Sequence, residues 1–493
     1  MKLNKKNMET LSSPKIEKIH PELFRLPEKV IQFGTGKLLR GLPDDYIDQA
    51  NKKGFFKGRI VIVKSTKTGG LDIFHQQDGL YTLGIKGITH QGIYEKYRIN
   101  ASISRVMDAH TEWQQILKLA EDPAIQIMLS NTTEAGIVEE DDDIFSSPPT
   151  SFPGKVAAYL YRRYQHLSDT EESHMVIIPT ELIDNNAEKL KQIVLSLSAK
   201  HTLPPSFTDW INKNVDFCNS LVDRIVTDGD PHSSIGYTDR ISIITEPFKL
   251  WAIEVKNKKT QEILSFAKEE ESIKMLPSIE SYKEIKLRLL NATHTLLCGI
   301  SLLKRDCYVR ESLADPVLEK FTEKLLKKEI CPCLWKNGIN KEAALAFSEE
   351  VVNRFKNPYL QHEWTSIALN FTAKIRHRVL PLLKIWFAHY STPPLAISLG
   401  IASFLVLMDA ENQEDQIMRI IQNRKICFTD QKGKAVIAHW KKNEPLVSRV
   451  FSDTSLWGEN FAQNKEWIEV MESFVKRLKN KEDLHTLILE ASK

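Results

Sequence analysis

Short apolar runs at residues 30–33, 60–63, 125–129 and 175–178 alternate with helical patterns through the first half of the chain. Strands of that kind, separated by crossover helices, predict an α/β fold with a parallel, doubly wound sheet. Beyond about residue 280 long helical periodicities dominate and strand signals fade, so a mainly α-helical second domain is expected. The expected domains are 1–279 and 280–493, with the boundary just before the helix that carries Lys286. The acidic run 139–143, the following Ser146-Ser-Pro-Pro149 and the pair Pro204-Pro205 read as surface loops inside the first domain. The longest apolar run, 395–408, has 14 residues and contains Ser398, Gly400 and Ser403. It is too short to cross a bilayer and predicts a core helix.

Composition adds limits. With 493 residues, 42% hydrophobic and 27% charged, the chain can build two or three domains with substantial cores. A net charge of +3 from 67 basic and 64 acidic residues leaves no global field to attract nucleic acid or a membrane, so neither is expected as a partner. The six cysteines, at 218, 298, 307, 331, 333 and 427, lack paired CxxC sequences. Cys331-Pro-Cys333 alone cannot close a tetrahedral site, so the cysteines read as reduced thiols and no metal is expected. The stretch from Met1 to Pro14 is basic but has no apolar h-region, which predicts a cytoplasmic protein.

Candidate chemistry begins where the first strand, ending at Phe33, runs into Gly34-Thr-Gly36-Lys37-Leu-Leu-Arg40-Gly41. Two glycines there permit a tight strand-to-helix turn and close backbone approach to a pyrophosphate. Leu39 stands where the third glycine of GxGxxG is usual, and a GxG after a strand also suits an ordinary turn. The second strand ends in Lys64-Ser-Thr-Lys67 without the Asp or Glu that would bind a ribose 2′-hydroxyl, which leaves room for a 2′-phosphate and hence for NADP. The third ends in Ser130-Asn131-Thr-Thr-Glu134-Ala-Gly136, a polar edge that equally suits a capped turn.

From 282 to 303 the chain is rich in Leu and Ile, which predicts a largely buried helix whose polar residues need a reason to exist. Those residues are Lys286, Asn291 and His294. At about 100° per residue, Asn291 lies roughly 140° and His294 roughly 80° around the axis from Lys286, so all three fit on one broad face. An amine, an amide and an imidazole together can handle a proton, although a snorkelling lysine beside a satisfied asparagine has the same spacing. Asp223-Arg224 interrupts an apolar run, as a structural ion pair would. Lys374-Ile-Arg376-His-Arg378 reads as an exposed helix face, and Trp251 as a packing residue.

These motifs resemble the long-chain polyol dehydrogenase family, which includes mannitol dehydrogenases and hexuronate reductases. The resemblance rests on KxxxxNxxH at 286–294, on GxGxxxRG at 34–41 and on the Val222-Asp223-Arg224-Ile225 segment. It implies a Rossmann-type first domain, a helical substrate domain, and a cleft between them where a substrate meets the nicotinamide. It implies metal-independent hydride transfer with NAD, in which Lys286, Asn291 and His294 act on the alcohol and Glu134 links the lysine to solvent protons. Expected cofactor contacts are Phe33, Gly34, Gly36, Lys37, Arg40, Lys64 and Asn131. Asp223 would accept hydrogen bonds from substrate hydroxyls, and Lys374 falls where the family places a substrate contact. The forms at 130–136 and at Thr180-Glu-Leu-Ile-Asp184-Asn-Asn186 resemble the hexuronate branch, which implies a small sugar acid as substrate. Lys374, Arg376 and Arg224 are then candidates for its carboxylate. Ser366 and Leu182 replace an arginine and an asparagine of the mannitol dehydrogenases, which argues against mannitol. A monomer or small homo-oligomer is expected. Other polyols or polyol phosphates, or a non-catalytic nucleotide-binding regulator, are the alternatives.

Overall fold

Every residue of the segment Arg59–Lys64 is buried, so this strand must be covered on both faces, the setting of a parallel sheet between helical layers. The computed structural model describes residues 2–8, 16, 19–67, 69–132, 136–168, 170–229, 236–421, 423–442, 445–480 and 483–493. The chain divides into two compact units, Met1–Lys86 with Gln91–Ile279, and Gly87–His90 with Glu280–Lys493. Ahead of residue 280 run β1 (Glu28–Phe33), β2 (Arg59–Lys64), β3 (Tyr81–Thr89), β4 (Gly92–Asn100), β5 (Ile103–Asp108), β6 (Ile127–Ser130) and β7 (Met175–Pro179). They are followed by β8 (Val215–Phe217), β9 (Ser220–Asp223), β10 (Val226–Asp228), β11 (Ile243–Thr245), β12 (Leu250–Glu254) and β13 (Ile273–Leu276).

The six strands β5-β2-β1-β6-β7-β8 lie side by side in that order, and every neighbouring pair is parallel. The order reverses between β1 and β6, and doubly wound sheets bind ligands outside the carboxyl ends of the strands at such a point. Register decides what gathers there: Phe33 pairs with Val63 and with Ser130, and Ser130 with Pro179. The two-residue period of a strand divides the apolar side chains between two cores. Ile31, Phe33, Val61 and Val63 pack with Trp113, Tyr159 and Leu190. Val30, Ile60 and Ile62 pack with Tyr46, Ile47 and Trp251 on the other face.

The sheet's helices include α1 (Lys37–Gly41), α2 (Pro43–Lys52), α3 (Ala109–Lys118), α4 (Phe152–Leu167), α5 (Asn186–Lys200) and α6 (Pro205–Asn214). Pro205, expected in a loop, instead opens α6, where a missing N–H costs nothing. Two smaller sheets, β10-β11-β3-β4 and β13-β12-β9, contain strands that apolar runs do not announce. The first five residues of β4 are exposed, and β9, β10 and β11 have only three or four residues each.

In the second unit the helix expected over 282–303 changes register twice. It begins as α7 (Glu280–Ile285), passes through a π-helical stretch, Lys286–Ala292, and resumes as α8 (Thr293–Lys304). Further on lie α9 (Lys341–Phe355), α10 (Phe371–Lys374), a second π-helical stretch Ile375–Val379, α11 (Leu380–His389) and α12 (Leu395–Leu407). Strand signals do not end at residue 280: β14 (Glu411–Gln413), β15 (Gln416–Ile421) and β16 (Arg424–Thr429) form an antiparallel sheet. Their mixture of polar and apolar residues hides them in the sequence.

Helix α12 is buried from Ala396 to Leu407, and among the described residues no helix is long and apolar enough to cross a membrane. It packs against α8, the continuation of the Lys286 segment. Glycines set the distance between them. A Cβ on Gly299 would lie 2.8 Å from the Phe404 nitrogen, and one on Gly400 would lie 2.9 Å from the Leu296 carbonyl oxygen. Since backbone cannot yield as a side chain does, Gly400→Val is expected to cost about 1–3 kcal/mol by overpacking. Thermal unfolding measures this, and a wild-type melting temperature would contradict the close approach.

Candidate active site

The turn after β1 is built around Gly34, whose φ of +127° is closed to residues with a side chain without strain. Its amide donates to the Val63 carbonyl at 3.0 Å, which ties the turn to β2. Leu39, at the position of the usual third glycine, is fully buried and lies 3.0 Å from where a Cβ on Gly34 would stand. Close helix–strand packing, the ordinary task of that third glycine, falls to Gly41. A Cβ there would come within 2.7 Å of Val226 and 3.1 Å of Thr245. Gly36 has nothing within 4 Å of its Cβ position, so the turn is open on that side. A dinucleotide's pyrophosphate fits this arrangement: a glycine turn at the switch point, stiffened from below and open above.

The candidate cofactor side chains do different things. Arg40 turns inward, donating to the Thr35 carbonyl at 3.2 Å and to the Ile241 carbonyl, with its guanidinium 5.4 Å from the Tyr81 ring centroid. It therefore braces the turn. Lys37 reaches Asp228 at 2.8 Å on the surface. The Phe33 side chain is in the core, 5.4 Å from Phe152 between centroids, so only its backbone faces the edge of the sheet. Asn131 donates through its amide nitrogen to Phe33 and through Nδ2 to the Thr180 carbonyl at 3.1 Å, joining the ends of β1, β6 and β7. Lys64 is buried and pairs with Asp108 at 3.0 Å. Asp108 ends β5 and caps α3 by accepting from the His110 amide. The sequence gives no hint of this acid, because β5 is the spatial neighbour of β2 and lies more than forty residues from it.

Glu134 lies outside the described residues. At the end of β6, Glu181 is buried and accepts from the Thr132 amide at 2.8 Å, the Thr132 hydroxyl at 2.9 Å and the Ser130 hydroxyl at 3.1 Å. Burial raises its pKa against those hydrogen bonds. Leu182 is exposed. Asp223 is buried at the end of β9. Arg224 donates to Asp45 at 2.8 Å, to the Gly41 carbonyl at 2.6 Å and to the Glu246 carbonyl at 3.2 Å. Its donors are thus committed to the framework that also holds Gly41 in place.

In the second unit Lys286 opens the π-helical stretch and Asn291 lies near its end. An i→i+5 hydrogen-bond register brings residue i+5 closer around the axis to residue i than α-helical spacing, which would set the two roughly 140° apart. Lys286 and Asn291 are half-buried, not fully buried as expected. The Asn291 carbonyl accepts from the Thr295 hydroxyl at 2.8 Å. His294 is buried, with its ring on that of Phe355 at 4.0 Å between centroids and that of His362 edge-on at 5.2 Å. Its Nε2 has no hydrogen-bond partner among the described residues. Burial, then His362, Arg354, Arg378 and Lys374 in that order, hold its pKa well below 6.5. Lys374 donates to the Ile367 carbonyl at 2.8 Å, and burial followed by Arg378 brings it down to about 8. Arg376 reaches the Leu456 carbonyl at 3.3 Å and lies against Gly458.

Comparison with known proteins agrees with this layout. The description of the mannitol dehydrogenase Rossmann domain matches residues 28–265, and that of the mannitol dehydrogenase C-terminal domain matches residues 278–479. The chain is an oxidoreductase of the secondary-alcohol dehydrogenase class. It belongs to the mannitol dehydrogenase family. The altronate oxidoreductase of Halalkalibacterium halodurans is 36% identical over 470 residues, covering 90% of each chain. That of Bacillus subtilis is 34% identical over 449 residues, covering 89% of this chain and 90% of the relative. Two solved structures share the fold. Pseudomonas fluorescens mannitol 2-dehydrogenase, in ternary complex with NAD and D-mannitol, has a TM-score of 0.67 at 20% identity, covering 99% of both chains. A substrate-free D-sorbitol dehydrogenase has a TM-score of 0.76 at 17% identity, covering 99% of this chain and 100% of its own.

The environment of His294 makes a prediction about pH. Because its pKa is lowered in the fold, the neutral ring is favoured. As pH falls through 6.5 the unfolded chain takes up a proton that the folded chain does not, and stability declines. Ring resonances of His294 followed by NMR are expected not to titrate between pH 8 and 6, and a midpoint at the ordinary imidazole value would contradict the described burial.

Proposed function

We propose that the enzyme interconverts D-altronate and D-tagaturonate with NAD as hydride carrier and Lys286 as the group that handles the proton, in the breakdown of galacturonate. The observation that supports this chemistry is the π-helical stretch that contains both Lys286 and Asn291, with His294 following in α8. The sugar acid is supported by the altronate oxidoreductases, which match over some nine-tenths of their length. Within the family, oxidation of mannitol, of a related hexuronate or of mannitol 1-phosphate is the second reading. It has less support, since Ser366 and Leu182 stand where the mannitol dehydrogenases carry polar contacts.

The turn at Gly34 and Gly36 would hold the pyrophosphate of a bound dinucleotide, which would supply the hydride acceptor for the alcohol and the hydride donor for the ketone. Lys286 takes the hydroxyl proton during oxidation and gives it back during reduction, which is general acid–base catalysis with an amine. Asn291 donates a hydrogen bond to the same oxygen as negative charge develops, a preorganised contact worth about 3 kcal/mol of barrier. His294, kept neutral by its surroundings, can donate to that oxygen or its neighbour without adding charge. Glu134 is assigned the relay of the proton to solvent, and Asp223 the hydrogen bonds to substrate hydroxyls. Arg224, held by Asp45, Gly41 and Glu246, is assigned to the framework and not to the substrate.

NAD, and not NADP, is favoured by the Lys64–Asp108 pair. The carboxylate cancels the one buried cation at the end of β2 and repels a 2′-phosphate. Asp108→Ala is expected to lower the KM for NADP relative to NAD, and an unaltered preference would remove this pair from cofactor choice. Lys286→Ala is expected to reduce altronate oxidation by about 10²- to 10⁴-fold, while NADH binding followed by fluorescence stays near wild type. Wild-type turnover in that variant would refute the assignment.

A further inference from the structure

The second unit gathers several basic groups around one imidazole. His294 is surrounded by His362, Arg354, Arg378 and Lys374. Lys374 and Arg378 are four residues apart, and the guanidinium of Arg378 lowers the Lys374 ammonium electrostatically. Arg376, between them, points instead to Leu456. Burial lowers the Arg378 guanidinium, and among the described residues no acid raises it. Lys374 is offset only by Asp430 and Cys298, and Asp430 already accepts from the amide and hydroxyl of Thr372. Like charges held together away from water repel one another, and an entering anion relieves that repulsion.

Arg378 is also the best-placed donor. Its Nη1 makes two long contacts of 3.4 Å, to the Asn291 carbonyl and the Thr295 hydroxyl, so the guanidinium lies beside the Asn291 turn. Its Nε and Nη2 have no acceptor among the described residues. The backbone beneath it is fixed by Arg288, which donates to the carbonyls of His377 at 2.7 Å and Arg378 at 2.9 Å while pairing with Glu284 at 3.0 Å. A guanidinium with a free edge on a fixed backbone matches the two oxygens of a carboxylate. His362 lies edge-on to the His294 ring at 5.2 Å between centroids, and burial, then Lys374 and Arg354, favour its neutral imidazole, a second donor.

We propose that Arg378, assisted by His362, binds the terminal carboxylate of the sugar acid and thereby selects an aldonate over a neutral hexitol; this rests on the sugar-acid reading given above. The site is a specificity determinant, separate from the groups assigned to proton transfer. It also takes the carboxylate role away from Arg376 and Arg224, whose donors are directed elsewhere.

The test is steady-state kinetics of the full-length Arg378→Ala, Arg378→Lys and His362→Gln enzymes with NAD, using altronate and, in parallel, altritol, the neutral hexitol of the same configuration. In Arg378→Ala the KM for altronate is expected to rise about 10- to 100-fold, the loss of one charged hydrogen bond, with kcat little changed. Arg378→Lys is expected to recover part of that loss, His362→Gln to show a smaller rise, and turnover of altritol to be the same in all three as in wild type. Melting temperatures are recorded for each. If Arg378→Ala melts early, the KM of Arg378→Lys decides, because a lysine keeps the charge but not the fork. An unchanged altronate KM in a normally folded variant would overturn the proposal, as would equal losses for altronate and altritol, and both leave the sugar-acid reading standing. A wild-type enzyme inert toward altronate would remove the reading and the proposal together.

Discussion

The change of hydrogen-bond register between Lys286 and Ala292 is the constraint on which the arrangement of Lys286, Asn291 and His294 depends. A regular α-helix over these residues would spread them over one broad face, the amide roughly 140° and His294 roughly 80° around the axis from the amine. The π register narrows the angle between the first two and frees backbone groups that need partners. The Thr295 hydroxyl supplies one at the Asn291 carbonyl. A register of this kind survives only when its surroundings hold it. Here α8 is pressed against α12 at Gly299 and Gly400, and Arg288 ties the first π-helical stretch to the second.

The first unit solves a different problem with the same economy of contact. Its sheet brings the ends of β1, β2, β6 and β7 to one edge, and the turn at Gly34 must leave that edge open. Leu39 fills the space beneath the turn, Gly41 lets the chain approach β10 and β11, and Arg40 and Arg224 brace the backbone from inside. The missing third glycine of the usual fingerprint is thus replaced by a glycine two residues later that performs the same packing. Asp108 plays a comparable part at the end of β2, where it neutralises Lys64 from the neighbouring strand.

What the sequence reveals follows from how far each interaction reaches along the chain. The runs at 30–33, 60–63 and 175–178 are visible because strands buried on both faces are uniformly apolar, and they suffice for the doubly wound sheet. Strands with one exposed face, such as β4, or with mixed composition, such as β15, lack that signature. Lys286, Asn291 and His294 stand out as polar residues in an apolar segment, but their π register does not, since the same residues satisfy an α-helical pattern. Asp108 and Lys64 meet through parallel strand pairing, which no local motif records. Arg376 and Arg378 are indistinguishable by composition. Only the fold shows that one faces Leu456 and the other faces the Asn291 turn.

The account stands or falls on the pairing of a sugar acid with a nicotinamide on this scaffold. The most direct measurement is the absorbance of the reduced nicotinamide band when tagaturonate is added to the enzyme with NADH and, separately, with NADPH. Rapid loss of the NADH band, with NADPH much slower, is the predicted result. No oxidation of either cofactor by tagaturonate, alongside turnover of a neutral polyol or a polyol phosphate, would contradict it.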